Sequence, residues 1–212
     1  AEALGRVHRL DVAPSLIAAY GDRAASVRSA ALLALRSYST PEVLNTLRHA
    51  FDNDSSYNAV NAALAALRKA DSSHAQEYFV KALGRDSHRE TFRIAALRGL
   101  GDIGGDTAYA LVRRYTAYGY DRGLRSEAAR ILARVWKSKP DVAPLFITFL
   151  SDPSRPFRRV AAEQLGVIGD TAAIDPLRRA AVQGSGDRRL VTAVEAAVKR
   201  IQDLQQKNQK SE

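Results

Sequence analysis

Four arginines recur at one position of a repeating segment: Arg28, Arg93, Arg125 and Arg158. A guanidinium carries five N–H donors in a planar fork and no acceptor. A row of such groups suits two kinds of chemistry. One is contact with the phosphates or carboxylates of an extended anionic ligand. The other is a ladder of charge-assisted bonds to aspartates inside the protein. Aspartates stand close by: Asp22 lies six residues before Arg28, Asp152 six before Arg158, Asp86 seven before Arg93 and Asp121 four before Arg125. The ladder is the favoured reading, and it would lock the turns and the register of the repeats. The row is interrupted, because Val60 and Val191 occupy the same position in two weaker copies.

A second constellation joins Tyr115, Tyr118, Tyr120 and Trp136 to nearby Arg113, Arg114, Arg130 and Arg134. Arginine beside aromatic rings suits base stacking in a nucleic-acid site. The same residues also suit an interface, since Tyr and Trp combine an apolar body with a polar tip. Their crowding into one repeat favours the interface. The four arginines and these four aromatics are the candidate contact residues.

Other reactive types offer less. None of His8, His49, His74 and His88 is followed by Glu or pairs with another at i+3 or i+4. A helical metal site needs ligands that converge on one face, so no zinc or di-iron centre is expected. Cysteine is absent, which removes thiolate ligands, disulfides and a cysteine nucleophile. The glycines at 99–105 lack the Lys-Ser/Thr ending of a phosphate loop, and no G-x-S-x-G elbow occurs. Acidic residues fall mainly at turns, where they serve as caps. No catalytic, cofactor-binding or metal-binding residue is therefore assigned.

The segment that carries the arginines runs apolar, Arg, x, small, Ala, x, x, x, Leu. Its last position falls at Leu4, Leu35, Leu67, Leu100, Leu132, Leu165 and Val198, at intervals of 31 to 33 residues. Such constancy predicts a stacked repeat array rather than a globule around one central site. Each interval divides into two helices, A and B, with polar turns between them. Thr40-Pro41-Glu42, Gly105-Asp106-Thr107-Ala108, Pro140-Asp141-Val142 and Gly169-Asp170-Thr171-Ala172 read as starts of helix A. Helices A are expected near 12–20, 41–51, 73–84, 106–118, 140–150 and 171–183. Helices B are expected near 1–8, 23–37, 56–69, 88–101, 122–137, 155–167 and 187–204, the B helices lining the concave face. The fold class is all-α: a right-handed α–α superhelix of about six helix pairs. It forms a single domain over residues 1–204, followed by a fraying polar tail over 205–212.

The chain has 212 residues, a net charge of +9 and no methionine. The missing initiator and the helical character of the first residues suggest a domain excised from a longer chain. No apolar run approaches the length of a membrane span, and no signal peptide is visible. A soluble protein of the bacterial cytoplasm or periplasm is expected. The positive charge permits an acidic or nucleic-acid partner.

The apolar-Arg-x-x-Ala segment, the paired helices and the Gly-Asp turns resemble HEAT repeats, especially the short bacterial type, over nearly the whole chain. That resemblance implies that the repeat Arg pairs with an Asp at the start of helix B, in its own or the next repeat. A narrower resemblance sits at Asp54–Leu67, Ser87–Leu100 and Tyr115–Gly119. These look like the C-terminal HEAT-like domain of bacterial zinc aminopeptidases related to aminopeptidase N. That resemblance implies a non-catalytic scaffold that packs on a catalytic domain and shapes substrate access. The zinc would belong to that other domain, and none of its H-E-x-x-H machinery is present here. The alternatives are a standalone protein-binding array, including a subunit like the bilin lyases, and a nucleic-acid-binding solenoid.

Overall fold

The computed structural model describes residues 12–209, which form twelve α-helices and no strand. They fall into two compact units that divide between Ile103 and Gly104. The expected helix B at 1–8, its anchor Leu4 and His8 lie outside the described residues.

The first unit holds α1 (Ala13–Ala19), α2 (Ala25–Ala34), α3 (Pro41–Asn53), α4 (Tyr57–Ala70), α5 (Ala75–Leu83) and α6 (Thr91–Ile103). The second holds α7 (Gly105–Arg114), α8 (Arg122–Val135), α9 (Val142–Phe149), α10 (Arg155–Ile168), α11 (Ile174–Gln183) and α12 (Arg188–Gln209). Odd-numbered helices are A and even-numbered ones are B. In the first unit α2 packs on α4 and α4 on α6; in the second, α8 packs on α10 and α10 on α12. Each A helix also packs on the B helix that follows it.

The repeated letters explain the stacking. Ala31 with Leu35, Ala63 with Leu67, Ala96 with Leu100, Ala128 with Leu132 and Ala161 with Leu165 are all fully buried. Positions i and i+4 share one helix face, so within each unit these residues form the seam between neighbouring B helices. Alanine keeps the helices close, and each buried leucine contributes about 1.5–3 kcal/mol relative to exposure. Two approaches admit no side chain at all. A Cβ on Gly99 would stand 2.0 Å from the Phe79 ring, and one on Gly166 would stand 2.9 Å from the Ala197 backbone.

Several expected boundaries shift for local reasons. The A helix expected to reach 118 ends at Arg114. Thr116 turns its hydroxyl onto the Arg113 carbonyl at 2.7 Å, and the chain closes in three-residue turns up to Ala117. The B helix expected from 88 opens with a 3₁₀ turn, His88–Glu90, in which Arg89 and Glu90 have positive φ. The two Gly-Asp-Thr-Ala segments also differ. Gly169 ends α10 in the left-handed conformation and the Asp170 carboxylate accepts from the Ala172 amide at 2.9 Å. At the earlier copy Gly105 is itself the first helical residue, and Asp106 takes the Lys139 ammonium at 2.7 Å instead of capping. The polar tail stays helical through Gln209, its side chains exposed from Gln202 onward.

Phe79 is fully enclosed, so its ring has nowhere to retreat. Gly99→Ala is therefore expected to cost about 1–3 kcal/mol in urea unfolding. Gly186→Ala, where an added Cβ meets nothing, should leave the midpoint unchanged.

Candidate functional site

Arg28 holds Asp54 through both ends of its fork, at 2.8 and 2.9 Å, and donates to the carbonyls of Asp22 and Arg23 at 3.1 Å. Arg125 holds Asp152 at 2.6 and 3.3 Å and donates to the Thr116 carbonyl at 3.0 Å. Each therefore ties the turn before its own B helix to the turn before the next one. Arg93 stays within its repeat. It takes Asp86 at 2.7 Å, Glu90 at 2.6 Å and the Leu83 carbonyl at 2.9 Å. Arg158 donates through Nε to the Asp152 carbonyl at 2.6 Å.

The ladder takes both forms implied by the resemblance, Arg93 with Asp86 of its own repeat and Arg28 and Arg125 with Asp54 and Asp152 of the next. Asp22, Asp121 and Asp152 do not give their carboxylates to the arginine of their own repeat. Asp22 accepts from the Ala24 amide, Asp121 from Gly123 and Leu124, and Asp152 from Ser154. Asp121 is the N-cap of α8, and Asp22 and Asp152 lie two residues before the N-caps of α2 and α10; each closes a local turn with one oxygen. Asp54 and Asp152, which accept from Ser56 and Ser154 in this way, also take the arginine of the preceding repeat.

At Val60 the arginine is missing, yet the job is still done. Arg85, from the turn after α5, donates to the Phe51 carbonyl and lies over the Phe51 and Phe92 rings. Phe51 stands nine residues before Val60, as Thr116 stands nine before Arg125. No repeat-position reading finds Arg85, because it belongs to a different element.

The aromatics are mostly turned inward. Tyr115 packs on Tyr120 with ring centres 4.7 Å apart, and Trp136 meets Tyr109 edge-on at 5.6 Å. Tyr115 and Trp136 are buried. Tyr118 is 70% exposed and lies 5.6 Å from the Arg125 guanidinium, whose other neighbour is the Phe157 ring at 3.8 Å. Among the eight candidates, the structure joins Arg125 to Tyr118 and Tyr115 to Tyr120.

Helices A have clasps of their own. The Tyr109 hydroxyl donates to Asp141 at 2.6 Å, and Arg113 lies 3.2 Å from the same carboxylate. Burial and the Asp141 carboxylate push the Tyr109 phenol up to about 12. In the first unit Asp71 accepts from Tyr78 at 2.6 Å and from Arg48 at 2.7 Å, and its other oxygen lies 2.7 Å from His74 Nδ1. Burial alone would raise the Asp71 pKa, but these three partners outweigh it and hold the carboxyl well below its usual range. The Asp71 hydrogen bond raises the His74 pKa.

What remains is a groove between α10 and α12. It encloses about 580 Å³ and is lined by Arg159, Glu163 and Gly166 of α10 and by Arg188, Arg189, Thr192, Ala193, Ala196, Ala197 and Arg200 of α12. Its floor is small because Gly166 and Ala197 touch backbone to backbone. An adjoining hollow of about 430 Å³ shares Arg159, Arg188 and Arg189 and adds Arg155 and Asp187. Arg159 lies 3.4 Å from Glu163. Among the described residues, Arg155, Arg188, Arg189 and Arg200 make no ion pair with a carboxylate. The sequence did show Arg188-Arg189 as a basic pair. The spacing of Arg189, Thr192, Ala196 and Arg200 along one helix face was the further signal.

No group of three His, Asp or Glu side chains suited to a metal ion exists among the described residues. None of their helices is long and apolar enough to cross a membrane.

A family model for HEAT repeats matches residues 1–68 and 116–198, more than half of the chain. The chain belongs to the HEAT-repeat family. No curated protein sequence matches it. Similar solved structures include human deoxyhypusine hydroxylase in complex with glycerol, at 20% identity and a TM-score of 0.49, covering 95% of this chain and 77% of that one. Another is the complex of CpcE and CpcF of phycocyanin lyase from Nostoc sp. PCC7120, at 20% identity and a TM-score of 0.47, covering 94% and 86%. The family assignment rests on the repeat match.

Arg125 and Asp152 are 4% and 7% exposed. Asp152→Ala should lose about 3–5 kcal/mol in chemical denaturation, because it strands a buried cation. For the first unit, a histidine with a raised folded pKa stabilises below its unfolded value of about 6.5 and loses that contribution as pH rises through the folded pKa. A carboxyl with a depressed pKa acts in the opposite sense, losing its contribution as pH falls toward the folded value. NMR titration should thus place His74 above about 6.5 in the wild type and return it to that value in Asp71→Asn.

Proposed function

We propose that this chain is a non-catalytic helical-repeat scaffold that holds a protein partner along the B-helix face of its second unit. One observation carries the reading. Arg28, Arg93 and Arg125 spend their forks on carboxylates and carbonyls of the fold itself. Arg155, Arg188, Arg189 and Arg200 instead surround an open groove without carboxylate partners among the described residues. Repeat proteins commonly bind through such continuous helical faces.

A place beside the catalytic domain of a zinc aminopeptidase is the narrower form of this reading. It stands on the sequence resemblance at Asp54–Leu67, Ser87–Leu100 and Tyr115–Gly119. In that setting zinc and catalysis reside in the neighbouring domain, and the scaffold shapes access to it. An H-E-x-x-H domain in the parent polypeptide would establish this form, and an unrelated neighbour would remove it.

The broad reading is tested by a photo-crosslinking residue placed at Thr192 in the groove or at the well-exposed Val182 of α11. In cells of the source organism, Thr192 should give discrete adducts that protease removes, while Val182 gives none. Equal adducts from both positions, or adducts that nuclease removes, would overturn it.

A further inference from the structure

We propose that the groove between α10 and α12 takes an acidic amphipathic helix of the partner, with carboxylates on the arginines and small apolar side chains on the floor. This rests on the scaffold reading and names the partner's chemistry.

Charge comes first. Five arginines border the groove and its adjoining hollow, against Glu163 and Asp187. Asp187 is engaged at the start of α12, accepting from the Leu190 amide at 3.2 Å. Glu163 neighbours Arg159. The remaining cations present forked donors that match carboxylates in two-point contact.

Length comes second. Arg189 and Arg200 are eleven residues apart on α12, so their attachment points lie about 16 Å apart along the axis. One inorganic anion cannot meet both ends. A ligand with several charges along its length can.

The floor decides the class. Gly166, Ala193, Ala196 and Ala197 form an apolar trough between two stacked B helices. A helix laid in such a trough buries side chains at i, i+3, i+4 and i+7. A sugar–phosphate backbone has no apolar group to place there, and Glu163 would face its phosphates. No aromatic side chain lines the groove, so unpaired bases would find no surface to stack on. A second copy of the chain, itself at +9, meets charge repulsion rather than complementarity.

The test uses the full chain and fluorescence anisotropy. The probe is a fluorescein-labelled helical peptide of about 16 residues, with Glu along one edge and Ala and Leu along the other. Its partners in the assay are the same peptide with Gln for Glu, and fluorescein-labelled single-stranded and duplex DNA. The Glu peptide should bind more tightly than the other three. Arg188→Glu with Arg189→Glu should weaken it at least about tenfold. Thr192→Trp, which fills the trough without changing charge, should weaken it similarly. Arg178→Glu with Arg179→Glu on α11 makes the same charge change away from the groove, and should stay within about twofold of wild type. Circular dichroism of each variant is the check that it is folded.

Equal loss from both charge reversals, equal binding of the Gln peptide, or tighter binding of DNA would overturn the proposal. If the acidic peptide fails to bind while Thr192 still crosslinks to protein, the scaffold reading stands and the acidic helix falls.

Discussion

The fork of Arg125 meets the carboxylate of Asp152 in a place that water scarcely reaches. Its Nε–H ties down the Thr116 carbonyl, and the Phe157 ring covers its face. One side chain thereby joins the turn before α8, the turn before α10 and the core of α10. A buried charge is tolerable only when paired and hydrogen-bonded, so this arrangement permits one register between the two repeats. Arg28 and Asp54 do the same between α2 and α4. The stacking of leucines is non-directional and would tolerate sliding. The clasps are directional and would not.

The clasps also explain the irregular parts of the chain. Thr116 sits in a tight turn beyond α7 because its hydroxyl and carbonyl are both committed, one backward to Arg113 and one forward to Arg125. Arg85 bonds to the Phe51 carbonyl, covering the gap left by Val60. The A helices repeat the theme with different letters, Arg48 and Tyr78 on Asp71 in one unit, Tyr109 and Arg113 on Asp141 in the other. Arginine is thus consumed by structure nearly everywhere it recurs in register. Out of register, at Arg155, Arg188, Arg189 and Arg200, it is left facing a groove.

That division shows how far the residues alone could lead. The period of 31 to 33 residues, the two helices per interval and the Ala–Leu seam were all legible, because helical spacing is written in neighbouring letters. The arginine ladder was legible as a type of bond. Asp86 was legible as the partner of Arg93, whereas the choice of Asp54 and Asp152 over the nearer Asp22 and Asp121 was not, since those two close the local turns at the starts of their own B helices. The aromatics read as filling an interface between repeats or with a partner; which rings meet, Tyr115 with Tyr120 and Trp136 with Tyr109, was not legible.

From sequence by itself came the repeat architecture and the face that each helix buries, because both depend on residue type and local period. Tertiary structure alone decided that Arg28 and Arg125 hold carboxylates of the next repeat, that Arg85 substitutes at the Val60 copy, and that the α10–α12 seam opens into a basic groove. Those outcomes join residues about 25 to 35 positions apart. Whether such pairs meet depends on the separation between stacked helices, and near Gly166 the contact between two backbones sets that distance.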